Sequence, residues 1–389
     1  MHPDPPTPQA DVVVVGARPA GAATARALAR RGHRVVVLDR SRRGSDTLST
    51  HALMRPAVML LERWGLVDAL VERGTPAIER VTFRYGSSNP VVVSLDSPLY
   101  APRRTVLDPV VSDAAVAAGA EVHHGVRVDG LLRDERGRVA GVAWHGRDGS
   151  SGTVRAPWVV GADGRTSLVV RAVRPPVTRH GRHASATVYT HVTGLATDGL
   201  EWWYGAGGVS AGVVPTNDGQ ACVFVMGPAA RFARDRGPGL DRWFTRLLSE
   251  VGPELAVRVA DAGSGAPLRG FPGTPGWLRR PHGRGWALVG DAGAFRDPAT
   301  AHGLTDALRD ARLLGMALDG ALREPATART ALAAYEHQRD HLAGPVFAVT
   351  DAIASSTWDL DEVAVLHREL SVAMQAEAAA LATPALQGA

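Results

Sequence analysis

The sequence contains no lysine, so all 43 of its basic side chains are arginines. Chemistry that needs an amine, such as a Schiff base or a catalytic ammonium, is therefore excluded. There is one cysteine, Cys222. That excludes an intramolecular disulfide, a Cys-x-x-Cys redox pair and a thiolate metal cluster, and it predicts a reducing, cytoplasmic setting. No apolar run approaches the ~18 residues that span a bilayer, so no transmembrane segment is expected. Residues 1–10 are polar and proline-rich, which predicts a loose tail and no targeting segment. An excess of one charge is also lacking. The balance is +4, from 43 basic and 39 acidic residues. The arginines are spread out, which argues against nucleic acid as a partner.

What is present is an ordinary globular composition, 45% hydrophobic and 21% charged, in a chain of 389 residues. Residues 11–15 (Asp-Val-Val-Val-Val) read as a buried strand. A glycine turn follows, then an alanine-rich helix to about Arg31, then a second strand over 34–38 ending at Asp39. Valine on both faces of each strand predicts a parallel, covered sheet. A helix is expected from Pro56 to Arg73, and antiparallel strands of a different sheet over 80–100. The α/β style returns with a helix at 107–118 and a strand at 121–128. Residues 138–145 and 153–160 read as a hairpin. Residues 184–228 are again strand-like and contain Trp202, Trp203 and Tyr204, and Gly205–Gly208 reads as a turn. A strand at 287–289 precedes a mostly helical remainder from Leu304.

Three segments carry chemistry. Gly16-Ala17-Arg18-Pro19-Ala20-Gly21 lies between a strand and a helix. Gly16 suits the tight turn and Gly21 the close packing of helix on strand, and the helix N-terminus offers amides to a pyrophosphate. Arg18 holds the position that is glycine in Gly-x-Gly-x-x-Gly. Asp39, about 20 residues on, can accept hydrogen bonds from ribose hydroxyls. The second segment is Trp158 to Ser167, with Gly161-Ala162-Asp163-Gly164. The third is Val289-Gly290-Asp291-Ala292-Gly293, continuing through Pro298 to His302-Gly303-Leu304. A carboxylate at a strand's C-terminal edge can bind a polyol chain, and amides at a helix start can face an electron-rich carbonyl edge. Each segment alone is also compatible with a plain strand-to-helix turn. His123 and His124 are adjacent and so face opposite sides of a strand, which does not make a zinc site, and no metal is expected.

These three motifs, in this order and spacing, resemble the single-component flavoprotein monooxygenases of the para-hydroxybenzoate hydroxylase type and their relatives the geranylgeranyl reductases. The resemblance spans about residues 10–350. Asp46 to His51 (Asp-Thr-Leu-Ser-Thr-His) further resembles bacterial FAD-dependent oxidoreductases. The resemblance implies an α/β fold. Its parts are a Rossmann-like FAD-binding domain of glutathione-reductase type, an inserted, mainly antiparallel β-sheet substrate domain and C-terminal helices. The expected division is 10–73, 101–175 and 276–325 for FAD, 74–100 and 176–275 for substrate, and 326–389 as a helical segment. By the same resemblance Gly16 and Gly21 bind the ADP half and Asp39 the adenosine ribose, and Arg18, Ala20 and Arg40 join the cofactor-binding set, with the direction of the Arg18 guanidinium, toward ligand or solvent, left open. Arg55 and Arg104, with Arg103 as an alternative, sit near the pyrophosphate. Asp163 serves both FAD and NAD(P)H, Asp291 the ribityl region, and Pro298, Gly303 and Leu304 the isoalloxazine.

The implied reaction is an NAD(P)H- and O2-consuming monooxygenation of a hydrophobic, aromatic or polycyclic small molecule, of the kind found in natural-product biosynthesis. NAD(P)H is a transient co-substrate and the flavin is the reagent. His51 is the candidate catalytic residue. His51, Trp202, Tyr204 and His302 are candidates for substrate contact, and one of the two tryptophans is expected in the core. The C-terminal helices, with Trp358, are expected to pack on the body or on a partner subunit, and homodimerisation stays open. Three rivals remain: a flavin-dependent alkene reductase, a flavin oxidase or dehydrogenase, and a flavin-free interaction protein like the GDP-dissociation inhibitors. Asp39, Asp163 and Asp291 speak against the last. Flavin-dependent halogenases are set aside for want of lysine and of a Trp-x-Trp-x-x-Pro segment.

Overall fold

The protein is described here as a computed structural model of residues 6–383, without 236, 238 and 264. Part of the proline-rich tail expected over 1–10 lies outside the described residues.

The chain opens as the hydrophobic pattern requires. Strand β1 (Val12–Val15) is wholly buried, helix α1 (Pro19–Ala29) follows the glycine turn with proline at its start, and β2 (Val35–Asp39) ends at the aspartate. The single helix expected over 56–73 is two, α2 (Arg55–Arg63) and α3 (Val67–Val71). Gly65, at φ 68°, breaks it, because a left-handed residue cannot continue a right-handed helix. The hairpin β3 (Ala77–Tyr85) and β4 (Val91–Tyr100) leads into α4 (Arg104–Ala117). The strand expected over 121–128 is also two, β5 (Glu121–His124) and β6 (Val126–Arg133), separated at Gly125 with φ 78°. The expected hairpin shifts as well. Its strands are β7 (Val139–Gly146) and β8 (Ser151–Arg155). Residues Trp158–Gly161 form β9, buried in a different sheet.

After α5 (Leu168–Val173) and β10 (Val177–His180) come four long strands, β11 (Ser185–Thr193), β12 (Leu200–Gly205), β13 (Val209–Pro215) and β14 (Gln220–Pro228). Helices α6 (Ala229–Asp235), α7 (Leu240–Val251) and α8 (Pro253–Asp261) follow. Short strands β15 (Arg269–Phe271), β16 (Trp277–Arg279), β17 (His282–Gly283), β18 (Trp286–Leu288) and β19 (Ala294–Phe295) lead to α9 (Gly303–Arg323), α10 (Ala328–Ala354) and α11 (Leu360–Ala382).

One sheet has the order β17-β18-β9-β1-β2-β5 and is parallel from β18 to β5. A second has the order β15-β11-β14-β13-β12-β3-β4 and is antiparallel except where β12 meets β3. Strand alternation sorts the aromatics of β12. Trp202 and Tyr204 face the core that also takes in α1, α9 and α11, whereas Trp203 joins the α7 side with Phe244 and Leu247. That first core runs without a break from the parallel sheet to the seven-stranded one. The C-terminal helices pack on the body: α11 lies against α10 and α2, and the Trp358 indole N–H donates to the Ile353 carbonyl at 2.7 Å.

Candidate functional site

A cleft of about 510 Å³ opens where the C-terminal ends of the parallel strands meet the seven-stranded sheet. Such crevices beyond the strand ends are where α/β sheets bind ligands. Gly16 forms the turn at φ 107°, and a Cβ there would lie 2.5 Å from the Ala162 carbonyl oxygen. A Cβ on Gly21 would lie 1.8 Å from the Gly16 oxygen, so α1 can sit this close to the turn only with glycine at 21.

Arg18, at the middle position of the turn, points across to α4. Its Nη1 lies 2.8 Å from Asp108 Oδ2, and Arg104 Nε lies 2.7 Å from Asp108 Oδ1. Arg103 and Arg269 likewise share Asp46, at 3.4 and 3.1 Å. Arg18 and Arg104 thus stand beside the glycine turn on one shared carboxylate, where they can meet a pyrophosphate, and the cradle that a Cβ would fill suits its close approach.

Asp39 lines the cleft while its carboxylate accepts the Ala17 and Ser41 amides, both at 2.7 Å. Asp163 accepts the Ser167 hydroxyl at 2.5 Å and the Leu168 amide at 2.6 Å, which ties the second motif to the start of α5. Burial pushes the Asp163 carboxyl up. Asp291 stands at the end of β18, where burial pushes its carboxyl up to about 6 against the pull of Arg165 and Arg104. An acidic group so poised in a cleft gains from a polar ligand that satisfies its oxygens.

Of the residues singled out in the sequence, Gly16, Arg18, Ala20, Asp39, Arg40, His51, Arg104, Asp163, Asp291, Pro298, Gly303 and Leu304 line this one cleft. The other expected residues do not line it. Gly21 packs against the Gly16 oxygen behind the turn. Arg55 is not a lining residue. It begins α2 at the surface, half exposed, with Nη1 3.0 Å from Glu62. Trp202 is edge-on to Phe224 in the core, with centroids 5.1 Å apart, and Tyr204 is enclosed by Tyr85, Trp358 and His367, so neither lines the cleft. His302 is wholly buried beside Glu377.

The aromatic wall is instead Tyr189, Phe271 and Phe295, with the Arg165 guanidinium 4.6 Å from the Phe271 ring centre. Phe295 and Arg165 lie inside the third and second motifs, which is a usable sequence signal. Phe271 has none, because β15 is placed only by its long-range pairing with β11.

His51 has φ 71° and is 1% exposed. Its Nε2 lies 2.9 Å from Nε2 of His191 on β11. Burial drives both rings down, His51 well below the usual imidazole range and His191 to about 4, with Arg103 and Arg269 adding to the effect. Both are therefore neutral at pH 7, and one proton lies between the two Nε2 atoms. His51 Nδ1 is buried without a hydrogen-bond partner. Cys222 stands opposite His191 in the sheet register, close enough to complete a three-ligand set. Burial pushes its thiol up to about 12, and a neutral thiol among arginines is a poor cation site.

Comparison with known proteins agrees with this geometry. Over nearly its whole length the chain is similar to digeranylgeranylglycerophospholipid reductase 1 of Methanopyrus kandleri, with 29% identity over 90% of this chain and 91% of the relative. It is similar to rifampicin monooxygenase of Streptomyces venezuelae, with 27% identity over 79% of this chain and 63% of the relative. Its fold matches that of PqsL of Pseudomonas aeruginosa, a probable FAD-dependent monooxygenase, at a TM-score of 0.77 with 24% identity, over 92% of this chain and all of the other. The model of the FAD binding domain family matches residues 9–350, and the chain belongs to that family as an FAD-dependent oxidoreductase.

Proposed function

We propose that the protein is an NAD(P)H- and O2-dependent monooxygenase of a hydrophobic, aromatic or polycyclic small molecule. The observation that carries this reading is the continuity of the cleft. One cavity runs from the charged glycine turn to the Tyr189–Phe271–Phe295 wall, so cofactor and a flat substrate can lie in contact. Bound FAD, reduced by NAD(P)H, supplies the oxygen-activating chemistry.

The chain's own residues do the rest. Gly16, Ala20 and Gly21 allow the dinucleotide's close approach, and Arg18 and Arg104 neutralise its phosphates. Asp39 and Arg40 would hold the adenosine ribose, Asp291 the ribityl region and Asp163 FAD and NAD(P)H, and Pro298, Gly303 and Leu304 would line the ring. The aromatic wall orients substrate and excludes water. His51 is the candidate for acid–base work. Its unpartnered Nδ1 can donate to or accept from a substrate oxygen, according to which Nε2 holds the shared proton. The expected setting is the cytoplasm, with function divided between a discontinuous FAD-binding part and an inserted substrate-binding sheet.

A second reading, reduction of a prenyl-type alkene, is favoured by the full-length similarity to the archaeal reductase. Turnover of an aromatic substrate panel under 18O2 separates the two. Oxygenation puts the label in the product and stops without oxygen. Product formed equally well under anaerobic conditions establishes the reductase.

A further inference from the structure

His51, the candidate for acid–base work, stands on irregular chain. Residues 40–54, between β2 and α2, form no helix and no strand beyond a single bridge from Leu53 to Tyr100. His51 itself has φ 71°, a left-handed value that a residue with a β-carbon keeps only when its surroundings enforce it. The loop's own contribution is the His51 amide donating to Ser49 Oγ at 3.1 Å. That contact holds the backbone and not the ring, and a proton-transfer group must be held within a fraction of an ångström.

The ring is held from β11. This strand lies inside the seven-stranded sheet, between β15 and β14. His191 is paired with Cys222 of β14 on one side, and on the other its carbonyl accepts the Ala266 amide at 2.9 Å. Its backbone is therefore fixed at both edges, as a loop residue's is not. Tyr189 and His191, two residues apart, project from the same face of the strand. The Tyr189 hydroxyl accepts the Ser49 amide at 3.2 Å, and His191 Nε2 meets His51 Nε2 at 2.9 Å. The loop is thus docked on alternate residues of one rigid strand.

Both imidazoles are buried, at 1% and 3% exposure. Two imidazole nitrogens this close need one proton between them, so one ring donates and the other accepts. The contact commits Nε2 of His51. It leaves Nδ1, which has no partner, as the one uncommitted nitrogen of a ring that lines the cleft. His191 itself does not line the cleft, so it can act there only through His51.

We propose that His191 is a positioning residue for His51: it holds the imidazole by Nε2, so that Nδ1 alone meets a substrate oxygen in the cleft. The proposal rests on the monooxygenase reading above and on the place of His51 in it.

The experiment uses FAD-loaded protein and has two readouts. In protein labelled with 15N in its histidine rings, the proton shared by the two sealed imidazoles should give a downfield resonance bonded to 15N. It should be present in wild type without substrate and absent from His191→Leu. Turnover is then measured on the member of the aromatic panel that wild type oxygenates fastest. His191→Leu should lower kcat about ten- to hundredfold, part of what a positioned acid or base supplies. KM and the Kd for FAD should stay within about threefold. His191→Gln, whose amide can either donate to or accept from His51 Nε2, should restore kcat to within about threefold of wild type. Combining His191→Leu with His51→Ala should cost no more than His51→Ala alone, because one residue acts through the other. If His191→Leu does not fold, His191→Met makes the same comparisons. A wild type that oxygenates no member of the panel ends the monooxygenase reading, and this role with it. With an active wild type, any of four results overturns the role of His191 alone: no shared-proton resonance, an unchanged kcat in His191→Leu, loss of FAD from that variant, or losses that multiply in the double variant.

Discussion

Asp291 and the His51–His191 pair show what burial does to single residues here. Burial pushes Asp291 up to about 6 against the attraction of Arg165 and Arg104, a position that a bound polyol improves by donating to it. Asp291→Ala is therefore expected to leave a folded protein with weaker FAD binding. The expected loss is about 1–3 kcal/mol, roughly tenfold to a hundredfold in affinity, read by equilibrium titration. Equal affinity in the variant removes Asp291 from the site. For His191 the sign runs the other way. Its folded value, about 4, lies below the usual 6.5, so the unfolded chain binds the proton more readily. Stability is fully present above about pH 6.5 and declines as pH falls toward 4. His191→Asn should flatten the fall in Tm across this window relative to wild type. An unchanged slope would mean that other groups set it.

The elements differ in how far the sequence announces them. β1, α1 and β2 follow from local rules: valine on both faces, glycine and proline at the turn, aspartate at the strand end. The joints were harder. Gly65 and Gly125 each adopt positive φ and divide an element that periodicity joins. Trp158–Gly161 was legible as the strand of a motif, yet the same residues also completed a plausible hairpin, and only pairing with β1 and β18 decides between them. The site was legible where it is made of turns and strand ends. It was not legible where a contact spans the chain, as with His51 and His191, 140 residues apart, or with β15 and its Phe271. Arg55 was expected near the pyrophosphate by resemblance alone, and its side chain finds a partner in Glu62, seven residues on in its own helix. The contact between turn and helix gives a direct test at this scale. Gly21→Ala puts a methyl 1.8 Å from a backbone oxygen, which no rotamer relieves. It should cost about 1–3 kcal/mol or more as α1 is pushed off β1, with FAD binding falling in parallel. A variant as stable as wild type would show that the helix tolerates the shift.

At the scale of the whole molecule, the question is whether the two large sheets melt apart. They differ in style, one parallel and one antiparallel, and they are expected to divide the work between cofactor and substrate. Yet one buried cluster joins Val12, Val37 and Leu28 to Tyr189, Trp202 and Phe224, and α11 adds Val363, Leu370 and Leu381 to it. Unfolding the seven-stranded sheet alone would expose that shared face, at about 25 cal/mol for each Å² of apolar surface. The cleft adds a second tie, since its walls come from Val15, Arg104, Asp163, Tyr189 and Asp291, far apart in the chain. A ligand held by all of these binds only when both sheets are in place, and it stabilises the folded state as a unit. Heating or urea should therefore give one transition, the same by far-UV dichroism and by tryptophan fluorescence, in both apo- and holo-protein. FAD at a hundred times its Kd should raise stability by about 2.7 kcal/mol, and flavin release should coincide with that transition. Two separated transitions in the apo-protein that merge when FAD is added would show instead that the cofactor, and not the common core, makes the sheets one folding unit.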